Sequence, residues 1–273
     1  MPRSNLANRL LAAAVALPLM LLLIFRGPPW GWLALVMAAA VVGSLELYGM
    51  THPGDRVSQA VCSILTLGVM LVLWLFGASA RVLLSLLLLL PLASTLLVLA
   101  RLGSIQTAAL RVMAGAFGPL YLGGGLGAAA LLRRDGGDDG PGFMLLALML
   151  SWLSDTGAYF MGRFLGKHKL YEAVSPKKTV EGAIGGLLGA IVGGLLAHFW
   201  YLRSLPLEHA IGLAVVAGAL GQAGDLGESL LKRSFGIKDS GGIIPGHGGI
   251  LDRADALLVT SSILYLYVLW MRF

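Results

Sequence analysis

The chain alternates between long apolar runs and short polar breaks. A bilayer core of about 30 Å needs about 20 apolar residues per helix. Nine runs have suitable lengths: Leu10 to Phe25, Gly31 to Met50, Gln59 to Ala78, Val82 to Ala100, Val112 to Leu132, Phe143 to Leu165, Gly182 to Leu202, Leu207 to Leu231 and Arg253 to Phe273. The pattern predicts an all-α, polytopic integral membrane protein with about nine transmembrane helices.

The first run resembles a signal peptide only in its position. Its apolar stretch is long, no small-residue cleavage site follows it, and a second run comes almost at once. We therefore expect it to be a transmembrane helix of the mature protein.

Composition agrees with this pattern. Of 273 residues, 57% are hydrophobic and 12% are charged, and the mean hydropathy is +0.83, which a water-soluble domain of this size would not show. The single cysteine, Cys62, lies in an apolar run, so a disulfide framework and a cysteine-ligated metal are excluded. The net charge of +6 is explained by positive loops facing anionic lipid, and we expect no nucleic-acid partner.

The Lys and Arg residues predict the orientation of the chain. If the N-terminus is cytoplasmic, the cytoplasmic connections carry more than twice as many of these cations as the opposite side, including every lysine. Nine spans then place the C-terminus outside. The two longest polar connections, between spans six and seven and between eight and nine, share the cytoplasmic face.

The two halves of the chain differ in how many ionisable residues their spans contain. Residues 1–140 form hydrophobic spans with few ionisable groups, which we interpret as a scaffold for packing or dimerisation. Residues 141–273 contain carboxylates and lysines at helix ends, so we expect the catalytic part there. The glycine-rich runs Gly123 to Ala130 and Gly182 to Gly194 have small-xxx-small spacings that favour close helix packing, within the chain or in a homodimer.

Carboxylates flank the last polar connection. Asp225, Glu228 and Lys232 are spaced i, i+3 and i+7, which places them on one face of the eighth helix. Asp252 and Asp255 lie one turn apart at the start of the ninth helix, whose positive end favours anions and could contribute to a phosphate site. If the two helices pack as a hairpin, these oxygen ligands would suit Mg²⁺. The alternative is that each carboxylate pairs with a neighbouring Lys or Arg.

The connection itself supplies complementary groups. Lys232, Arg233, Lys238 and His247 are cationic or can become so, and its glycines free backbone amides to face an anion. A metal between carboxylates, surrounded by cations, is typical of phosphoryl or nucleotidyl transfer.

The connection between the sixth and seventh spans repeats this chemistry. Asp155 lies within the sixth span, and Lys177 and Lys178 follow in Ser-Pro-Lys-Lys-Thr. We expect Pro176 to mark a helix N-terminus at which the two lysines would hold phosphates.

The residues from Ser229 to Asp255 resemble the signature of the phosphatidate cytidylyltransferases, also called CDP-diglyceride synthases. The segment contains Ser-x-x-Lys-Arg, Lys-Asp, Pro-x-His-Gly-Gly and Asp-Arg-x-Asp at the expected spacing. Gly224 to Glu228, Ala158 to Arg163 and Ser175 to Gly182 are also similar to the family. The similarity extends from about residue 150 to the end, with Glu46 as a further match.

The resemblance implies an enzyme of the bacterial inner membrane with its active site on the cytoplasmic face. It would condense CTP with phosphatidic acid, requiring one Mg²⁺ or two metal ions. The implied metal ligands are Asp225, Glu228, Asp252 and Asp255, with Glu228 either a ligand or a partner of one. The catalytic set further contains Lys232, Lys238 and His247, the histidine as a loop organiser or phosphate contact. The substrate-binding set is Lys177, Lys178, Arg233, Ser229, Asp155 and Arg253.

Two other functions fit parts of the pattern. A related CTP-dependent lipid nucleotidyltransferase or a polyprenol kinase would use similar residues. An ion-coupled transporter would also have intramembrane carboxylates and glycine-broken helices, but it would place the carboxylates near the bilayer midplane in two related halves, and we find no internal repeat.

Overall fold

The structure, a computed structural model, describes residue 14 and residues 17–77, 79–241 and 248–271. These residues form long helices joined by short connections. Helix α1 comprises residues 17–25. It is followed by α2 (Pro29–Thr51), α3 (Arg56–Phe76), α4 (Ala80–Ala100), α5 (Ile105–Asp135), α6 (Gly140–Leu165), α7 (Val180–Leu196), α8 (Leu207–Ser234) and α9 (Leu251–Met271). A π-helical turn, Ala197–Tyr201, extends α7.

The helices confirm the predicted fold class. Eight helices, α2 to α9, are long and apolar enough to cross a membrane within the described part of the chain, and α1 lies in the remaining run. Most begin and end within a few residues of the predicted runs. Helix α5 is the exception, because it begins at Ile105 rather than near Val112. The orientation of the termini stays a prediction.

Helix α5 is the most buried of the spans and contacts α2, α3, α6 and α9. A π-helical turn, Pro119–Gly124, widens it in the middle, where Pro119 has no amide hydrogen to donate to the preceding turn. Close packing follows at Gly125, since an added Cβ would lie 2.9 Å from Leu258 Cβ on α9.

Glycines also join α6 to α7. A Cβ on Gly185 would lie 2.6 Å from the carbonyl oxygen of Gly157 and 2.5 Å from Met161 Cβ. Such contacts leave no room for a side chain, so the two backbones approach closely, as small residues allow in lipid. The helix-packing interpretation of this run is confirmed, and a homodimer stays a prediction.

The connection between α6 and α7 is a β-hairpin, and here the predicted helix start is wrong. Strand β1 (Lys169–Tyr171) pairs antiparallel with β2 (Ser175–Thr179), so Pro176 lies in a strand. Helix α7 begins at Val180 instead, because Thr179 has extended backbone angles and its hydroxyl accepts the amide of Gly182 at 3.1 Å. A threonine in this position is a good N-cap.

Helices α8 and α9 pack together as the hairpin prediction required. A Cβ on Gly221 would lie 3.0 Å from a methyl group of Thr260, and one on Gly224 would lie 2.6 Å from a methyl group of Val259. This contact brings the carboxylates of α8 beside the start of α9.

Candidate functional site

A cavity of about 630 Å³ lies where α6, the β-hairpin, α7, α8 and α9 meet. Both polar connections therefore contribute to one site. Its charged lining residues are four carboxylates and five cations, namely Asp155, Asp225, Asp252 and Asp255 with Arg163, Lys177, Lys178, Lys232 and Arg253. Eight of these nine residues were predicted for the site, and Arg163 was not.

The cavity extends from the helix ends toward the middle of the helices. Asp225 lies nine residues before Ser234, the last residue of α8, so it is about 14 Å along the helix axis from that end. Its carboxylate forms an ion pair with Lys178 of β2 at 2.7 Å. The β-hairpin thus closes over the carboxylate of α8.

Lys232 joins two carboxylates. Its Nζ lies 2.6 Å from Glu228 Oε2, one turn earlier on α8, and 2.5 Å from Asp252 Oδ1 on α9. The Glu228 side chain is 2% exposed and lines a separate apolar pocket. The structure therefore contains the ion pair between Glu228 and Lys232 that was the alternative to metal binding. Lys232 also pairs with Asp252.

The second oxygen of Asp252 holds the connection that precedes α9. Asp252 Oδ2 accepts hydrogen bonds from the Ser240 amide at 3.1 Å, the Ser240 hydroxyl at 2.9 Å and the Gly249 amide at 2.9 Å. Together with the ion pair from Oδ1 to Lys232, these bonds give both carboxylate oxygens of Asp252 a partner. Asp252 therefore holds the connection before α9 in place and also lines the cavity.

Glu46 of α2 caps the start of α9 from the other half of the chain. Its Oε1 accepts the Ile250 amide at 3.1 Å, and its Oε2 accepts the Leu251 amide at 2.9 Å. Two amides at this helix end are thus bound to Glu46, while Asp252 binds that of Gly249. The positive end of α9 is therefore occupied by carboxylates of the chain itself, and its contribution to a phosphate site stays a prediction.

Asp155, Asp255 and Arg253 complete the wall of the cavity. Asp155 lies on α6, facing the carboxylates of α8 and α9 across the cavity. Asp255 is half-buried and accepts the amide of Ala256 at 2.6 Å. Arg253 lies between Asp252 and Asp255 in sequence and is exposed.

Four predicted residues within the described part of the chain are not among those that line the cavity: Glu228, which lines the apolar pocket, and Arg233, Lys238 and Ser229. Arg233 is exposed and donates to the backbone carbonyls of Val174 and Ile237, and Lys238 is exposed. Ser229 is half-buried on α8. His247 lies outside the described residues, and its role stays a prediction, as do those of Arg233, Lys238 and Ser229.

The donor set suits a hard cation, but the part of the chain that the structure describes contains no preformed cluster. Among the described residues, no three His, Cys, Asp or Glu side chains are grouped closely enough to hold one ion. Asp155, Asp225 and Asp255 offer only oxygen atoms and line one cavity, which is the chemistry that Mg²⁺ prefers. Glu228 and Asp252 are already bound to Lys232.

Gln222 and Arg163 line the cavity but were not predicted as site residues. Gln222 lies three residues before Asp225, and Arg163 lies eight residues after Asp155, so helical spacing alone would have placed them on the same faces. Gln222 donates to the carbonyl oxygen of Ala183 at 3.1 Å. Ser240 was also missed, because nothing local distinguishes it from other serines in a polar connection.

Comparison with known proteins shows the family to which the chain belongs. The model of the Cytidylyltransferase family matches residues 7–271. The chain is 44% identical over 133 residues to a protein named phosphatidate cytidylyltransferase from Staphylococcus haemolyticus, a match that covers 49% of this chain and 51% of that protein. Proteins of the same name from Staphylococcus saprophyticus and Staphylococcus aureus are 44% identical over 126 residues, which cover 46% of this chain and 48% of each. The chain spans about half the length of the curated relatives it matches. Because the family match extends over nearly the whole sequence, the chain belongs to the cytidylyltransferase family.

Proposed function

We propose that this protein is a phosphatidate cytidylyltransferase, which condenses CTP with phosphatidic acid to give CDP-diacylglycerol and pyrophosphate in phospholipid biosynthesis. The observation that carries this proposal is the cavity in which four carboxylates and five cations meet at one end of apolar helices. A soluble triphosphate and a lipid phosphate need both kinds of charge at a membrane surface. The relatives named above favour this acceptor over those of the alternative enzymes.

The cations of the cavity would bind the phosphates. Lys177 is an exposed residue of the cavity wall, and Arg163 and Arg253 lie on α6 and α9. Lys178 and Lys232 are held by Asp225 and by Asp252 with Glu228, so their ammonium groups are fixed before a substrate arrives. Fixed charges of this kind stabilise developing negative charge without reorganisation.

The chemical step is an in-line displacement. A phosphate oxygen of phosphatidic acid attacks the α-phosphorus of CTP, and a new P–O bond forms as the bond from the α-phosphorus to the bridging oxygen breaks. The electron pair of the broken bond leaves with pyrophosphate. The attacking oxygen is ionised near neutral pH, so the chain needs no strong general base.

Mg²⁺ is the cofactor that we propose, with a second ion as a further possibility of the same site. When bound, Mg²⁺ would neutralise phosphate oxygens and align the reacting groups. Asp255 and Asp225, the latter through the oxygen that does not face Lys178, are the residues that would hold it, with Asp155 beside them. Asp252 and Glu228, also predicted as ligands, fit better as the partners that hold Lys232.

We place the protein in a bacterial plasma membrane with the cavity on the cytoplasmic face. The eight long apolar helices support the bilayer as its surroundings. The concentration of lysines on the connections around the cavity supports the orientation. A homodimer would be formed by the hydrophobic spans of residues 1–140.

The test is pyrophosphate release by purified protein in lipid nanodiscs. We expect release only when CTP, Mg²⁺ and phosphatidic acid are all present, and at least tenfold less with ATP or with a polyprenol as the acceptor. Asp255→Asn should lower turnover and weaken the dependence on Mg²⁺ concentration. No turnover of CTP by well-folded wild type, or a preference for polyprenol, would refute the proposed reaction. Unchanged Mg²⁺ dependence in the variant would refute the metal assignment.

A further inference from the structure

The start of α9 is held by a carboxylate from the opposite half of the chain. Glu46 of α2 is 6% exposed. It accepts the amides of Ile250 and Leu251 and the hydroxyl of Ser240, the last at 3.2 Å. All of these donors are neutral, so among the described residues Glu46 is held by hydrogen bonds at the positive end of α9.

Ser240 connects Glu46 to the cavity. Its hydroxyl lies 3.2 Å from Glu46 Oε2 and 2.9 Å from Asp252 Oδ2, and its amide also binds Asp252. Asp252 in turn binds Lys232. A continuous set of polar contacts therefore runs from the buried carboxylate of α2 to a cation in the cavity wall.

Two glycines show how closely this arrangement is built. A Cβ on Gly249 would lie 2.5 Å from Glu46 Oε2, and one on Gly241 would lie 2.8 Å from the carboxyl carbon of Glu46. The backbone on both sides of residues 242–247 thus lies so close to Glu46 that only glycine fits at positions 241 and 249.

We propose that Glu46, acting through Ser240, is a positioning residue for the cavity. It fixes the start of α9 and both described ends of the α8–α9 connection, and so sets where Asp252 presents Lys232 to a phosphate. Glu46 itself touches no substrate. The role makes residues 1–140 part of the catalytic apparatus rather than a scaffold alone. Its kinetic test rests on the proposed function, whereas its structural test does not.

The variants are Glu46→Gln and Ser240→Ala, with Ser44→Ala as the control. Ser44 is fully buried on the same helix, and its hydroxyl donates to the carbonyl of Val41 in the preceding turn, which is its one bond to a described residue. Hydrogen exchange measured on purified protein reports the amides of Ile250 and Leu251, and steady-state kinetics report kcat and KM for CTP. Thermal unfolding identifies the folded fraction to which kcat is normalised.

We expect Glu46→Gln to speed exchange at the start of α9 and leave α6 and α7 unchanged. The loss of a partner behind a catalytic group typically costs about 10- to 100-fold, and we expect this loss in kcat with little change in KM, because the groups act mainly on the transition state. Ser240→Ala should give a smaller loss of the same kind, and Ser44→Ala none.

Three results would overturn the proposal: unchanged exchange at α9 in Glu46→Gln, a wild-type kcat per folded molecule in that variant, or an equal loss in Ser44→Ala. If the wild type itself does not turn over CTP, the proposed function fails, and the exchange measurement still decides whether Glu46 holds α9.

Discussion

Replacing Lys232 by methionine would remove a buried cation while keeping a side chain of similar length. Lys232 lies 2.6 Å from Glu228 and 2.5 Å from Asp252, and the three side chains are only 12%, 2% and 13% exposed. Lys232→Met would therefore leave two largely buried carboxylates without their cation. The variant should lose stability and turnover together.

The expected loss of stability follows from the burial of these groups. Removing one partner of a buried ion pair costs about 3–5 kcal/mol, because the remaining charge is not compensated. A typical folded protein has only about 5–15 kcal/mol of stability in total. Lys232→Met should therefore lower the unfolding temperature clearly in the same lipid or detergent.

A second substitution separates stability from function. Glu228→Gln in the Lys232→Met background removes the more buried of the two unpaired charges, so it should restore much of the lost stability. It should not restore turnover, because the ammonium group that would face the phosphates is still absent. In the wild-type background Glu228→Gln should retain the dependence on Mg²⁺ concentration, since Glu228 binds Lys232 rather than the metal in this account.

The assays are thermal unfolding in nanodiscs and pyrophosphate release from CTP. Lys232→Met with wild-type stability would refute the shared ion pair. Turnover recovered by Glu228→Gln in that background would show that Lys232 acts only in folding. A changed Mg²⁺ dependence in the single Glu228→Gln variant would show that Glu228 is a metal ligand.

Other predictions concern the packing that supports the site. Arg111→Ala should destabilise the protein by about 3 kcal/mol, because buried Arg111 donates to two backbone carbonyls and to the carboxylate of Asp55 in the α2–α3 connection. Arg101→Ala removes a largely exposed ion pair with the same carboxylate, so it should cost under about 1 kcal/mol. Equal losses in thermal unfolding would contradict this difference. Gly185→Ala should cost about 1–3 kcal/mol, because its methyl group meets the backbone of α6. Gly212→Ala on α8, where a Cβ meets nothing within 4 Å, should be neutral or stabilising by up to about 1 kcal/mol, and a loss there comparable to that of Gly185→Ala would refute the packing argument.

The helices were predictable because their pattern depends on local composition. A run of apolar residues long enough to span a bilayer specifies a helix wherever it lies, and the spacing of Asp225 and Lys232 placed both on the face that lines the cavity. The strand position of Pro176 was not predictable in this way. Thr179 competes with the proline as the helix boundary, and the outcome depends on which residue can accept the first amides.

The partners of the charged groups could not be deduced from the sequence. Glu46 lies about 200 residues from the amides that it binds, and no local pattern connects the two. Likewise, spacing showed that Glu228 and Lys232 share a face, but only the packing of α9 against α8 adds Asp252 to the pair. Contacts between distant segments decide whether a carboxylate faces a metal, a cation or a helix end.

The most direct test of the central claim follows the fate of the phosphates of CTP. Wild-type protein in nanodiscs containing phosphatidic acid is given CTP labelled at either the α- or the γ-phosphorus, with Mg²⁺, and lipid and water-soluble products are separated. Cytidylyl transfer predicts that the α-label enters the lipid fraction and the γ-label appears in pyrophosphate. Transfer of the γ-label to the lipid, or retention of both labels in CTP, would contradict the account.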